Sequence, residues 1–199
     1  MILAGGTSRR MGRDKLQMEV GGSSLLHRVY NALESRCEEI LVVGEGGRSL
    51  GGPDFPKARH ILDLRPGQAG PLAGIEAGLA AARRDRVFVA AGDMPFIPSE
   101  LVAFLLELAG GENVRVAVPC YEGRLHPLCA AYRREVLTDL SFALNIGVRA
   151  MHAFLESIDG VRRVEGELNQ FGEPRLFLTN VNSPEDLEKA QRACGVGEL

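Results

Sequence analysis

The sequence predicts an α/β domain with helices on both faces of a mainly parallel β-sheet, a three-layer α/β/α architecture. First, short apolar runs alternate with longer segments of helical periodicity along most of the 199 residues, which is typical of right-handed βαβ units. Second, two apolar runs within residues 114–132 are separated by a short turn, which predicts an antiparallel addition to the sheet. Third, no internal repeat or low-complexity linker divides the chain. We therefore expect a single domain over residues 1–199.

Composition narrows the class of protein. A hydrophobic fraction of 45% can bury a sizeable core, and the formal net charge is −3. General binders of nucleic acid or membrane surfaces usually carry a basic face, so we expect neither partner. The four cysteines are scattered without a CxxC pair, which predicts free thiols. Because no apolar run approaches the ~20 residues of a membrane span and no signal sequence is recognisable, we expect a cytoplasmic protein.

In the first half of the chain, the runs MILA, EILVVG and RHILD predict strands, and LQMEVGG predicts a short extended piece. SSLLHRVYNALESR predicts a helix with Ser23 as its N-cap. The apolar residues on one face of that helix are Leu26, Val29, Tyr30 and Leu33. PLAGIEAGLAAARR predicts a second helix with Pro71 in its first turn, where the missing N–H costs nothing.

In the second half, VFVAAGD predicts a strand that ends on a carboxylate, and PSELVAFLLELAGG predicts a helix that ends at glycines. VRVAVPCYEGRLHPLCAAYRR predicts two strands around an EGR turn. REVLTDLSFALNIG and VRAMHAFLES predict helices, whereas VRRVEG and RLFLTNV predict short strands. SPEDLEKAQRAC predicts a closing helix with Ser183 as its cap and Pro184 at its first position.

Ligands of open α/β sheets bind outside the carboxyl ends of the strands. This rule selects the connections at residues 4–15, 44–55, 64–70 and 92–98 as the candidate site.

The opening loop, LAGGTSRRMGRDK, combines glycines with cations. The glycines are Gly5, Gly6 and Gly12, and the cations are Arg9, Arg10, Arg13 and Lys15. Glycines let the backbone and its N–H groups approach an anion closely, and the cations suit a polyphosphate. The loop matches neither the Walker A pattern nor GxGxxG. The alternative is a flexible surface loop with solvated arginines.

Asp93 follows the apolar run VFVAAG at the predicted carboxyl end of a strand. A carboxylate there, facing a phosphate-binding loop, would be a natural Mg²⁺ ligand, because hard cations prefer oxygen donors. The alternative is an Asp that caps the turn through Pro95. Asp63 ends RHILD in the same way, and by itself it is as typical of a turn residue as of a functional one.

Asn180 and Asn182 lie two residues apart in TNVNSPED. In an extended segment both side chains would point to one face and could bind one ligand. The alternative is that Asn182 shapes the helix entry and Asn180 satisfies a loop backbone. The four histidines have no metal-binding or catalytic spacing, and Ser, Cys and His form no recognisable triad.

The motifs LAGGTSRRMGRDK, GPLAGIEAGL, AGDMPFIP, HPLCAAY and NVNSPEDL occur in this order between Leu3 and Lys189. Together they resemble the molybdenum cofactor guanylyltransferases, a family of the nucleotidyltransferase superfamily with a Rossmann-like sheet. LAGG loops also occur in sugar-nucleotide enzymes. The combination of RRMGRDK, GPLAG, GDMPF and NVNSPEDL is considerably more specific.

The resemblance implies transfer of GMP from GTP to the terminal phosphate of molybdopterin, with release of pyrophosphate. It implies nucleotide contacts at Leu3, Ala4, Gly5, Gly6, Lys15, Asp63, Gly70, Gly74 and Asp93. It implies a molybdopterin side with Arg149, Asn180 and Asn182. Such transfer needs positioning and charge stabilisation with little covalent work by the protein. We expect Arg10, Lys15 and an Mg²⁺ ion on Asp93 to supply that stabilisation.

Two positions depart from the family pattern. An Asn often follows the second main strand in the family, whereas this chain has Val43, Gly44 and Glu45 there; few residues precede ILAGG. Two alternatives therefore stay open. One is a nucleotidyltransferase for another base or acceptor, such as a cytidylyltransferase or a sugar-phosphate enzyme. The other is a non-catalytic GTP-binding module. The resemblance also suggests transient contact with other molybdenum cofactor biosynthesis proteins or acceptor enzymes.

Overall fold

The computed structural model describes residues 1–5, 15–44, 55–65 and 70–195. Within these ranges the strands are β1 (Ile2–Leu3), β2 (Glu19–Val20), β3 (Ser23–Ser24), β4 (Ile40–Val43), β5 (Ala58–Ile61), β6 (Arg86–Ala91), β7 (Val116–Tyr121), β8 (Arg124–Leu125), β9 (Cys129–Arg133) and β10 (Val161–Val164). The helices are α1 (Leu25–Glu34), α2 (Gly70–Ala81), α3 (Ser99–Leu108), α4 (Val136–Asn145), α5 (Met151–Glu156), α6 (Pro174–Phe177) and α7 (Pro184–Gly195). Two 3₁₀ helices cover Lys15–Gln17 and Gly166–Phe171.

The main sheet has the strand order β10-β7-β9-β6-β1-β4-β5, and β9 runs antiparallel to both of its neighbours. The other neighbouring pairs along this order are parallel. This arrangement confirms the predicted mainly parallel sheet with an antiparallel addition. The added strand lies inside the sheet, between β6 and β7, so the sheet continues beyond it to β10.

Alternate residues of the strands pack into two separate cores, one on each face of the sheet. In β4, Ile40 and Val42 join the core that contains α1 and α3, whereas Leu41 and Val43 join the core that contains α2, α4 and α5. All four residues are buried, as continuous apolar runs in parallel sheets usually are. Because both faces are covered, polar chemistry is left to the ends of the strands.

The turn after β7 differs from the prediction of two strands around EGR. Glu122 and Gly123 form a two-residue turn with φ of 50° and 74°, and this turn joins β7 to the short strand β8. The second long strand, β9, begins later, at Cys129. Positive φ at both central residues matches the right-handed twist of a tight hairpin, which explains the abrupt reversal.

Two local predictions are wrong. Ser24 caps α1, because its Oγ accepts a hydrogen bond from His27 N at 3.2 Å, while Ser23 pairs with Val20 in the β2–β3 hairpin. RLFLTNV is not a strand: α6 begins at Pro174, and Leu178 N bonds back to Pro174 O at 3.0 Å. Proline presets a helical φ at a first turn, and this outweighed the short apolar run.

Among the described residues, no helix is both long and apolar enough to cross a membrane.

Candidate active site

The centre of the site is an ion pair between residues 78 positions apart. Lys15 begins the 3₁₀ helix after the opening loop, and Asp93 follows the carboxyl end of β6. Lys15 Nζ lies 2.5 Å from Asp93 Oδ2, and each side chain is 15% exposed. The pair is thus largely shielded from water but still reachable, which strengthens its interaction with a charged ligand.

Two asparagines complete this ion pair. Asn180 Nδ2 donates a hydrogen bond to Asp93 Oδ1 at 2.7 Å, and Lys15 Nζ donates one to Asn182 Oδ1 at 2.7 Å. We call these four side chains the tetrad. Asn180 and Asn182 reach the same place, as their two-residue spacing predicts, although the segment that carries them is irregular rather than a strand.

A small satellite core of apolar residues packs next to the segments that carry the tetrad. Its buried members are Val20, Leu25, Val181 and Ala190, with Phe96, Leu187 and Cys194 packed against them. Val181 lies between the two asparagines, and its N–H donates to Asp93 O at 2.9 Å. Val20 and Phe96 follow Lys15 and Asp93 closely in the sequence, so this core joins all three segments that carry the tetrad.

Arg28 of α1 joins two of these segments directly. Its Nε donates to Pro95 O at 3.2 Å and its Nη1 donates to Val20 O at 3.2 Å. The guanidinium lies 5.4 Å from the centre of the Phe96 ring, within the range of a cation–π interaction. Arg28 therefore restrains the loop after Asp93 against the hairpin after Lys15.

The start of α7 restrains the asparagine segment. Ser183 Oγ accepts from Asp186 N at 3.1 Å, and Asp186 Oδ2 accepts from Ser183 N at 2.9 Å and from Asn182 N at 3.0 Å. This reciprocal pattern is a capping box. The hydrogen bond from Asn182 N–H is the main cause that lowers the pKa of Asp186 below its ordinary value. The predicted cap, Ser183, is present, and Asp186 also fixes the backbone of Asn182.

The exit of β1 lies beside the tetrad. Ala4 N donates to Val43 O at 2.7 Å, and Gly92 N donates to Leu3 O at 3.0 Å. A methyl group on Gly44 would lie 3.1 Å from Ala4 O, so glycine permits the close approach of the two chain segments here. Gly5, the last described residue before the opening loop, is exposed.

Asp63 lies between β1 and α2. A methyl group on Gly74 would lie 3.6 Å from Asp63 Oδ1 and 3.1 Å from Leu3 Cδ2, and one on Gly5 would lie 4.0 Å from Asp63 Oδ2. Gly74 is buried, so its clear effect is to let α2 approach Asp63 and Leu3. Gly70, in contrast, is exposed at the first position of α2 and has a φ of +64°.

Comparison with known proteins identifies the family to which the chain belongs. The family model for the MobA-like NTP transferase domain matches residues 1–161. The chain belongs to the MobA-like NTP transferase family.

Two relatives of this MobA-like chain extend the similarity to nearly its full length. A "probable molybdenum cofactor guanylyltransferase" of Mycobacterium avium is 36% identical over 97% of this chain and 94% of its own. One of the same name from Pelotomaculum thermopropionicum is 34% identical over 96% of this chain and 90% of its own. The resemblance seen in the sequence motifs is therefore confirmed, and the chain is a nucleotidyltransferase.

The solved structure of molybdopterin-guanine dinucleotide biosynthesis protein A from Archaeoglobus fulgidus has the same fold. It superposes with a TM-score of 0.82 at 27% identity, covering 98% of this chain and 97% of that one. The predicted three-layer α/β/α class is thus confirmed by a full-length structural neighbour.

Asp93 is a carboxylate of the MobA-like site that is suited to a metal. Among the described residues, no group of three or more His, Cys, Asp or Glu side chains could hold a metal ion by itself. Mg²⁺ is commonly held by one or two carboxylates together with substrate phosphates. Asp93 fits that mode, because its Oδ2 already receives a cation, the Lys15 ammonium group.

Arg149, predicted on the molybdopterin side, makes local contacts. Its Nη1 donates to Leu144 O and to Val148 O, each at 2.9 Å, and so closes the end of α4. Because β9 runs antiparallel to β6, the following helix α4 returns toward the edge of the sheet that carries Asp93. Arg149 is exposed at that edge. Arg10 and Gly6, predicted in the opening loop, lie outside the described residues, as does Glu45.

Sequence reasoning missed a buried ionic cluster next to Asp63. Glu76 of α2 accepts hydrogen bonds from Arg65 Nε at 2.6 Å, from Arg65 Nη2 at 2.9 Å and from Ser141 Oγ at 2.7 Å. The contact with Arg65 is the main cause that lowers the pKa of Glu76 below its ordinary value. The sequence did contain a signal, since Glu76 is a single carboxylate within the apolar run PLAGIEAGL.

Proposed function

We propose that this protein transfers GMP from GTP to the terminal phosphate of molybdopterin, forming a guanine dinucleotide and releasing pyrophosphate. The observation that carries the proposal is the tetrad, in which a cation, a carboxylate and two amides from distant segments converge within hydrogen-bond distance. The names of the full-length relatives favour the same substrates.

GTP would bind on the β1 side of the tetrad. The backbone at Leu3, Ala4 and Gly5 would contact the nucleotide, and the opening loop with Gly6 and Arg10 would follow its phosphates. Asp63 and the α2 start at Gly70 would contribute from the neighbouring strand. The backbone N–H groups at the start of a helix favour an anionic group, which suits the triphosphate.

Molybdopterin would bind on the opposite side, where Asn180 and Asn182 approach the ion pair. Each amide has a donor and an acceptor, so both can exchange a protein contact for a contact with the ligand. Arg149 would add positive charge at the same edge. Transient contact with other proteins of molybdenum cofactor synthesis stays a prediction.

The transfer needs no nucleophilic side chain. An oxygen of the molybdopterin phosphate, already deprotonated at neutral pH, attacks the α-phosphorus of GTP; the new P–O bond forms while the bond to the β-phosphate oxygen breaks and pyrophosphate leaves. Lys15 would stabilise the added negative charge in the transition state, and Arg10 would assist from the opening loop. The tetrad would hold the two phosphates in line.

Asp93 would hold a divalent cation, which we propose to be Mg²⁺. Bound there, the ion would neutralise charge on the triphosphate and on the leaving pyrophosphate. Lys15 would then exchange Asp93 for the phosphates, a change that needs only rotation of its flexible side chain.

The test is a nucleotide panel. Pyrophosphate release is measured with Mg²⁺ and GTP, CTP, ATP or UTP, each with and without molybdopterin, and the product is identified by mass. We expect release with GTP only when molybdopterin is present. Strong preference for CTP would overturn the choice of base. Tight GTP binding without turnover would overturn the enzymatic assignment in favour of a binding module.

A further inference from the structure

Glu76 is the one charged residue that is buried within the described ranges, with 4% of its surface exposed. Both of its carboxylate oxygens are used. Arg65 meets them as a two-pronged donor at 2.6 Å and 2.9 Å, and Ser141 of α4 adds a third donor at 2.7 Å. The cluster thus joins α2, α4 and the segment that follows β5.

The segment after β5 is not held by apolar packing. Leu62 and Leu64 are 58% and 59% exposed. Asp63, which lies between them, and Arg65, which follows them, are half-buried. Exposed and half-buried side chains thus alternate along residues 62–65. The inward side therefore carries two polar residues and the outward side carries the leucines.

The two inward side chains meet α2 two residues apart. Asp63 lies beside Gly74, and Arg65 pairs with Glu76. Since the leucines contribute little burial, the Arg65–Glu76 pair is a principal contact between this segment and the helix. A bidentate guanidinium–carboxylate pair fixes direction as well as distance.

We propose that Glu76 is a positioning residue for the guanine nucleotide: through Arg65 it orients residues 63–65, so that Asp63 faces the nucleotide. This inference rests on the proposed function, because it assigns Asp63 to the GTP side. Ser141 Oγ donates to Glu76 Oε1, the oxygen that Arg65 Nη2 also contacts, and so ties the carboxylate to α4.

A matched control lies at the opposite edge of the sheet. Glu39 accepts from Arg59 Nε at 3.0 Å and from Arg59 Nη2 at 2.7 Å, and its side chain is 16% exposed. Like Glu76, it accepts two hydrogen bonds from one guanidinium, here both at Oε1, but it precedes β4, far from the strand ends that form the site. A purely structural role for Glu76 predicts equal behaviour of Glu76→Gln and Glu39→Gln.

The experiment compares these two variants with the wild type. GTP affinity is measured calorimetrically with Mg²⁺ and without acceptor; kcat, the KM for GTP, the KM for molybdopterin and the melting temperature are also measured. We expect Glu76→Gln to weaken GTP binding and raise the KM for GTP about tenfold, the effect of one charge-assisted contact. We expect kcat at saturating GTP and the KM for molybdopterin to change less than about twofold, and Glu39→Gln to leave both KM values unchanged.

Three outcomes overturn the inference: unchanged GTP affinity in Glu76→Gln, an equal rise of both KM values, or the same loss in Glu39→Gln. If Glu76→Gln does not fold, Arg65→Lys carries the test, because lysine keeps the charge but loses the two-pronged contact. It should reproduce the selective rise in the KM for GTP. A wild-type protein that binds GTP but transfers no GMP refutes the proposed function alone, since the binding comparison still stands; a wild type that does not bind GTP refutes both.

Discussion

The two edges of the sheet both carry ion pairs, but they differ in where the partners come from. At the amino edge, Glu39 pairs with Arg59, 20 positions away, and with Arg83, 44 positions away. At the carboxyl edge, Lys15 and Asp93 meet across 78 positions of sequence and are joined by amides from a third segment. A pair assembled from three distant segments exists only in the folded protein.

The edges also differ in exposure. Arg83 and Arg84 are 75% and 66% exposed, whereas Lys15 and Asp93 are each 15% exposed. Water screens these exposed arginines, so their ion pairs contribute modestly to stability. The carboxyl edge combines shielding with amide partners that can exchange, which is the combination that a phosphate-transfer site needs.

Asp93→Asn is expected to have the largest effect. Without the carboxylate the site loses its proposed metal ligand, and loss of one electrostatic contribution to a transition state commonly costs about 100- to 1000-fold in kcat. Pyrophosphate release measures this loss. The melting temperature should stay close to that of the wild type, and Glu39→Gln should retain kcat. Normal turnover by Asp93→Asn would abolish the distinction between the edges.

Asn182→Ala is expected to have a smaller and more selective effect. It removes the acceptor for Lys15 Nζ and a proposed molybdopterin contact, so the KM for molybdopterin should rise about tenfold. The KM for GTP should change little. Steady-state titration of each substrate separates the two constants. An equal rise in both KM values would contradict the assignment of Asn182 to the molybdopterin side.

Glu76→Gln is expected to make the free energy of unfolding less dependent on pH in the acidic range. The hydrogen bonds from Arg65, and to a smaller extent the one from Ser141, keep the pKa of Glu76 below its ordinary value of 4.5, although burial acts to raise it. A carboxyl whose pKa is lower in the folded state stabilises the fold above its unfolded pKa, and this stabilisation disappears as the pH falls through the folded pKa. The free energy of unfolding of Glu76→Gln should therefore be about 2 kcal/mol lower than that of the wild type at pH 7.

Denaturant unfolding at pH 7, 5 and 3 tests the sign. The difference between wild type and Glu76→Gln should be retained at pH 5 and should shrink toward pH 3. A difference that grows with acid would contradict the assigned direction of the shift.

Glu38→Gln is expected to have the smallest effect. Glu38 pairs with Arg84, and the two side chains are 74% and 66% exposed. Exposed pairs contribute little, so the free energy of unfolding should change by less than about 0.5 kcal/mol. A loss comparable to that of Glu76→Gln would mean that exposure does not separate the two edges.

Much of the fold was predictable because apolar runs and helical periodicity are local. The run EILVVG became β4, and SSLLHRVYNALESR became α1 with the expected buried face. RLFLTNV was predicted wrongly because a short apolar run suits either a strand or a buried turn of helix. The segment is helical because its first turn begins at Pro174 and because Phe177 and Leu178 pack into the core that contains α1 and α3.

The side chains of the tetrad can be singled out one by one from the sequence, but their arrangement cannot. Asp93 was identified because a carboxylate directly follows a buried strand, and the asparagines because their spacing suits one ligand. That Asn180 bonds to Asp93 across 87 positions could not be deduced, since no local pattern specifies which distant loops meet. Glu76 was detectable as a carboxylate in an apolar helix, but its partners Arg65 and Ser141 were not.

The layers of the fold, the edge of the sheet that carries the candidate site and, through the motifs, the family all follow from the sequence alone. These follow from periodicity, composition and the order of short segments, all of which are local properties of the chain. The clustering of Lys15, Asp93, Asn180 and Asn182, and the contact of Glu76 with the segment after Asp63, become visible only in the folded structure. Such contacts depend on strand order and on the packing of a satellite core, which arise from burial of apolar surface over the whole chain.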